Sequence, residues 1–150
     1  MAVVAVADRL RNFGFLIKDV SRLYVRHFER RARELRLTLA ECKVLGYLAR
    51  NEGTSQARLA EITETDPMTL VRTLDRMQEQ QWIERRPDPS DRRAHRLYLR
   101  EASRPIIARM WKIADQARAE ALAGLGPSER EQLIATLERV HQTLSALDAQ

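Results

Sequence analysis

Cysteine is nearly absent: Cys42 stands alone in 150 residues, which excludes an intrachain disulfide and fits a reducing compartment. Aromatic residues are scarce at 5%, so a core has to be assembled from Leu, Ile, Val and Ala. Long apolar runs are missing. The start, MAVVAVADRL, is too short to span a bilayer and has no basic segment before it, so neither a signal peptide nor a membrane span is expected and the protein reads as cytoplasmic. There is no Gly-rich phosphate loop, no Cys or His pair at metal-ligand spacing, and no Ser or Cys with an evident base nearby. His27, His95 and His141 fall on separate elements. These absences argue against an enzyme and call for no metal or cofactor.

Charge is plentiful. Lys and Arg total 26 against 21 Asp and Glu, a formal +5, and arginine supplies nearly all of the excess. A basic balance suits a polyanionic partner, and the planar guanidinium fork suits phosphate and base edges. Hydrophobic residues at 44% and charged residues at 31% are ordinary for a globular chain of a size that buries its own core. Repeats, low-complexity tracts and linkers long enough to divide domains are lacking, so one domain is expected over 1–150.

Apolar periodicity predicts mostly helix. Leu10, Phe13, Ile17, Val20, Tyr24 and Phe28 mark one face of a long first helix to about Ala32. Thr38 and Glu41 form a capping box for a second, with Val44, Leu45 and Leu48 inward. A short third helix from Thr54 or Ser55 carries Leu59 and Ile62. Asp66 and Pro67 open a fourth, running to about Gln81, with Leu70, Val71, Leu74 and Met77 inward. WIERR and HRLYLR read as two strands. Ile106, Met110, Ile113 and Ala117 mark a helix to about Leu125; Ser128 and Glu131 then look like a second capping box before a stripe of Leu133, Leu137, Val140, Leu144 and Leu147. The stripes at the two chain ends need a partner to cover them, and a homodimer is the expected one.

The middle carries the chemistry. LAEI-TET-DPMTLVRTLDRM has helix-turn-helix spacing. With its apolar residues inward, the fourth helix is expected to show Thr69, Arg72, Thr73 and Arg76 to a major groove, where Arg72 can fork onto guanine. Alone, such a face is also what any solvated helix displays. Directly after it, RRPDPSDRRAHRLYL carries five arginines across two strands and the loop between them, the order of a winged helix. Prolines stiffen the loop, Asp88 and Asp91 can hold its shape, and Arg92 with Arg93 is left to enter a minor groove. The bland alternative is a solvated hairpin in which Asp91 pairs with Arg93.

DPSDRRAHRLYL after LVRTLDRM and WIERRP resembles the MarR family of winged-helix transcription regulators, and PMTLVRTLDRM with AEALAGL resembles its SlyA-type branch. The resemblance implies a mostly α fold with a small β-wing: a winged helix-turn-helix lobe over about 38–102, with dimerisation helices over about 8–37 and 103–150. It implies a sequence-specific regulator, repressor or activator, bound as a homodimer to a pseudo-palindromic duplex. The DNA-contacting set is then expected to be Thr65, Asp66, Met68, Thr69, Arg72, Thr73 and Arg76 with Arg92 and Arg93. Met68 stands where a small polar residue or proline is commoner in the family. The family's crevice for small aromatic acids would by position involve Tyr24, Val25, Phe28, Cys42 and Tyr47. SlyA-type relatives tend to carry arginine and tryptophan at the positions of Val25 and Cys42, and this chain has neither. Tyr24 and Phe28 also read as core, and Cys42 as a small buried hydrophobe. The alternatives are a winged helix that docks protein or RNA, and a redox-sensing regulator that uses Cys42.

Overall fold

The computed structural model describes residues 8–149, so MAVVAVA at the start lies outside the described residues. Helical residues 8–11 lead into α1 (Phe13–Ala32), and a 3-10 turn (Arg33–Leu35) follows. Thr38 then starts α2 (Leu39–Leu48) by a reciprocal cap. Its hydroxyl accepts from the Glu41 amide at 3.1 Å while the Glu41 carboxylate accepts from the Thr38 amide at 2.8 Å. Next come strand β1 (Thr54–Ser55), α3 (Gln56–Ile62) capped by Ser55, and α4 (Pro67–Glu79). Strands β2 (Ile83–Pro87) and β3 (His95–Leu99) form the hairpin, and α5 (Arg104–Ala121) and α6 (Pro127–Asp148) end the chain.

The result is mostly helical with a small antiparallel sheet in the order β1-β3-β2, a winged-helix architecture. β1 is an addition to the expected hairpin. Its two residues pair Thr54 with Leu97 and Ser55 with Arg96, so the start of α3 is tied to the wing. Two residues carry too little periodicity to announce a strand. The last helix also starts differently from expectation. Gly126, not Ser128, is its N-cap, Pro127 takes the first turn, and Glu129, not Glu131, accepts the Gly126 amide at 2.8 Å. Proline at the first helical position needs no N–H partner and so fixes this earlier start.

The described residues fall into two compact units, one ending at Ala114 and the other beginning at Asp115. The core of the first joins Val44, Leu45 and Leu48 of α2, Leu59 of α3, and Leu70, Leu74 and Met77 of α4 with Ile83, Leu97 and Met110. All are buried, and each large aliphatic side chain so removed from water contributes roughly 1.5–3 kcal/mol. α1 contributes little to it: Phe15, Leu16, Val20 and Leu23 are exposed, and Tyr24, expected in the core, is 37% exposed. In the second unit α6 buries none of its residues, and Ile134, Leu144 and Leu147 are exposed.

One polar side chain positions α4 against the sheet. Arg85 of β2 donates from Nη1 to Gln78 Oε1 at 2.7 Å, from Nη2 to Asp75 Oδ1 at 2.8 Å, and from Nε to Gln56 Oε1 at 3.3 Å. A single guanidinium, its side chain only 18% exposed, thereby joins α3, α4 and the wing. Arg85→Ala should lower stability by about 1.5–3 kcal/mol, the range for charge-assisted hydrogen bonds, read as a shift in the urea unfolding midpoint. A loss under about 0.5 kcal/mol would reduce the contact to a solvated surface pair.

Candidate nucleic-acid interface

Asp66 caps α4, its carboxylate accepting the Thr69 amide at 3.0 Å, and Pro67 occupies the first turn. With Leu70, Leu74 and Met77 inward, the helix turns Met68, Thr69, Arg72 and Asp75 to solvent. Thr73 departs from expectation. It is 3% exposed, on the buried side, where its hydroxyl donates to the Thr69 carbonyl at 2.9 Å. The period of 3.6 puts residue 73 beside Met77 at the edge of the inward arc, so Thr73 is not part of the outward face, and Val71 is only half-buried. Arg76 is exposed but leans back, with Nη2 at 3.3 Å from Oε1 of the buried Glu41. Thr65 is half-buried in the preceding turn, donating to the Thr63 carbonyl at 3.2 Å.

The wing is closed by carboxylates. Asp88 Oδ1 accepts the Ser90 hydroxyl at 2.6 Å and the Ser90 amide at 2.8 Å, while Oδ2 accepts Arg96 Nε at 2.9 Å. The Ser90 hydrogen bonds, then Arg96, hold the Asp88 carboxyl well below the usual carboxylate range, and Asp88 in turn raises Arg96. The knot therefore survives through neutral and mildly acidic pH and is lost only as pH falls through that depressed value. Asp91 accepts the backbone amide of Arg93 at 2.9 Å, not its guanidinium. Asx-type bonds of this kind shape the loop and leave Arg92 and Arg93 exposed at its tip. Arg86 of β2 is engaged: it pairs with Glu84 and lies 4.0 Å over the Tyr98 ring.

Helix, turn, helix and basic wing thus stand in one lobe, and residues 37–94 match the model of the MarR family. The fold is that of the MarR regulators. The chain is similar to a crystallised MarR at 25% identity, over 91% of this chain and 92% of that one, with a TM-score of 0.80. It is similar to a mutant MarR from E. coli complexed with operator DNA, at 25% identity, over 89% and 96%, with a TM-score of 0.70. It also shares its fold with Bordetella bronchiseptica BpsR, whose DNA binding is regulated by 6-hydroxynicotinic acid, at 24% identity, over 87% and 98%, with a TM-score of 0.72. Family model and structural neighbours together support a MarR-family winged-helix regulator.

Among the described residues, clefts open in the winged-helix lobe. One, of about 420 Å³, lies between α3, the start of α4 and the wing, with Gln56, Pro67, Arg93 and His95 on its walls. The residues expected to bind a ligand are divided between two others. Cys42 and Tyr47 line a cleft of about 530 Å³ with Lys43, Arg50 and Trp111. Phe28 and Cys42 line one of about 290 Å³ with Arg33 and Leu37, and Tyr24 and Val25 line neither of these two. Sequence reading missed Arg50 and Trp111, whose guanidinium and ring lie 5.5 Å apart. A tryptophan on the fifth helix gives no local sign that it faces the second.

Cys42 is 6% exposed, and burial, with Glu41 and Glu29 nearby, pushes its thiol up to about 11. A sensing cysteine needs the opposite, a lowered pKa and access, so this site gives the redox-sensing alternative no chemical footing. Iodoacetamide at pH 8 should alkylate native Cys42 about a hundredfold more slowly than the urea-unfolded chain, following its thiolate fraction. Equal rates would show an open, ionisable thiol.

Proposed function

We propose that the chain is a sequence-specific duplex-DNA-binding regulator of transcription, close to the SlyA branch, acting in the cytoplasm as a homodimer on a pseudo-palindromic operator. The observation that carries this is the pairing of a groove-sized helix, with Arg72 free on its outer face, with a rigid wing whose tip arginines are left over by the wing's own hydrogen bonds. A helix fits the major groove of B-DNA, and arginine suits the negative potential of a narrow minor groove. The operator complex of a MarR with this fold supports the same use here.

Dimerisation is supported by the apolar residues left exposed on α1 and α6, among them Phe15 at 77% and Leu147 at 60%. Amphipathic helices of that length need a covering surface, and two-fold symmetry is the commonest closed solution. Half-sites are then about one helical turn apart, roughly 10 bp centre to centre. The proposed DNA contacts are Asp66, Met68, Thr69 and Arg72 of α4 with Arg92 and Arg93 of the wing, flanked by Thr65 and Arg76. Whether binding represses or activates follows from where the operator sits relative to the promoter.

A small aromatic acid is proposed as the releasing ligand. The cleft at Tyr47 offers two aromatic rings with Lys43 and Arg50 for a carboxylate, and the ligand named for BpsR is of that chemical class.

Fluorescence anisotropy on DNA from upstream of the chain's own gene, against scrambled duplex at physiological salt, tests the reading. A preference of about a thousandfold or more is expected for a specific regulator. Equal binding to every duplex tried, including one selected from a randomised pool, would point to a protein or RNA partner. Arg72→Ala should cost about 1–3 kcal/mol and relax preference at one base pair; equal losses on specific and random duplex would make Arg72 a phosphate contact. Replacing Arg92 and Arg93 together by Ala should flatten the dependence of affinity on salt. An unchanged slope would show that the wing stands clear of the duplex.

A further inference from the structure

Most polar groups on the outer side of α4 already have partners within the protein. The Thr69 hydroxyl donates to Asp66 Oδ2 at 3.3 Å, and that of Thr73 donates to a backbone carbonyl on the buried side. Asp75 receives Arg85, and Arg76 is drawn toward Glu41. Two side chains remain for the bases: Arg72, and Met68 at 64% exposure. A lone exposed methionine is ordinary on a surface, but this one is held in a particular place. The Asp66 cap and Pro67 fix it in the first turn, and Leu70, buried at 1%, sets the opposite side of the helix inward. Residues near the N-terminus of a recognition helix are those that meet base edges.

What an unbranched thioether can recognise there is limited. It offers no hydrogen-bond donor, so it cannot read the N7, O6 or O4 acceptors. Thymine alone presents a methyl group in the major groove, and apolar side chains pack on it. Methionine is long and adaptable enough to reach it. From Met68 to Arg72 the helix rises about 6 Å, close to two base steps of about 3.4 Å.

We propose that Met68 is a specificity-determining residue that packs on a thymine C5-methyl, so that each half-site carries a thymine within about two base pairs of the guanine forked by Arg72. The proposal rests on the duplex-DNA reading above. It moves base recognition on α4 from the threonine hydroxyls to one methyl contact and one arginine fork.

Selection from a randomised duplex pool with the full chain gives the preferred sequence. Each thymine in it is then replaced singly by deoxyuridine, which removes the methyl and leaves the pairing edge unchanged. Affinities are measured for the parent protein, Met68→Ala and Arg72→Ala. One thymine per half-site should lose about fourfold on replacement, the worth of one buried methyl. It should lie within two base pairs of the guanine that Arg72→Ala ceases to prefer. Met68→Ala should abolish the deoxyuridine penalty and keep the guanine preference. If a preferred sequence emerges in which no thymine is sensitive, or the penalty persists in Met68→Ala, the methyl contact is refuted while duplex recognition stands. A pool that yields no preferred sequence overturns the duplex-DNA reading itself, and this proposal with it.

Discussion

The Arg85 guanidinium is the point at which the site is assembled. Its donors reach Gln56 on α3, Gln78 and Asp75 on α4, and its own backbone sits in β2, paired with Leu97 of β3. A winged helix needs its helix and its wing held at one mutual orientation, because the two are to meet different surfaces of one partner. Apolar packing under α4 fixes its depth and rotation, yet dispersion is non-directional and leaves sliding along the sheet weakly opposed. A planar fork with fixed donor directions supplies that missing constraint, and a lysine ammonium, a point charge on a flexible stem, would not. The carboxylate of Asp75 also neutralises a cation that is mostly withdrawn from water.

Seen this way, the arginines fall into two groups that composition cannot separate. Arg85, Arg86 and Arg96 are matched to Asp75, Glu84 and Asp88, and so build the lobe. Arg72, Arg92 and Arg93 are exposed beside them with their charge unspent. The formal +5 of the chain is therefore unevenly carried: the arginines paired with acids contribute little net charge, and Arg72, Arg92 and Arg93 keep theirs. A rigid cationic tip is also better placed than a mobile one, because little side-chain and loop entropy is left to lose on binding. The Asp88 knot supplies that rigidity.

Much of this was legible in the chain. The Thr38–Glu41 box, the Asp66–Pro67 start of α4 and the alternation around the hairpin are local signals, and local chemistry decides them. Thr73, expected on the outer face once the apolar residues are turned inward, lies on the buried side. A threonine can instead satisfy its oxygen on its own helix and turn its methyl inward, and nothing in the residue type distinguishes the two. The Ser128–Glu131 spacing is equally good as a capping box, but Pro127 starts the helix two residues earlier and Glu129 is in reach of Gly126. The contacts of Arg85 with Gln56, of Glu41 with Arg76 and of Arg50 with Trp111 join residues far apart in sequence. Such pairs leave no periodic trace, and they are what turns a set of elements into a site.

Glu41 shows how far the proposed ligand control can be carried on physical grounds. It is buried, it caps the start of α2 through the Thr38 amide, and its second oxygen faces Arg76 of α4. Cys42 and Tyr47, on the same short helix, line the larger cleft. Glu41 belongs to α2, so any displacement of that helix carries its carboxylate and the Thr38 cap along together. The contact that takes up the movement is the one with Arg76, at 3.3 Å, because the Arg76 side chain is 55% exposed and can follow. The link between the cleft and α4 therefore needs no long pathway: one ten-residue helix borders the cleft with Cys42 and Tyr47 and presents the buried Glu41 carboxylate to Arg76.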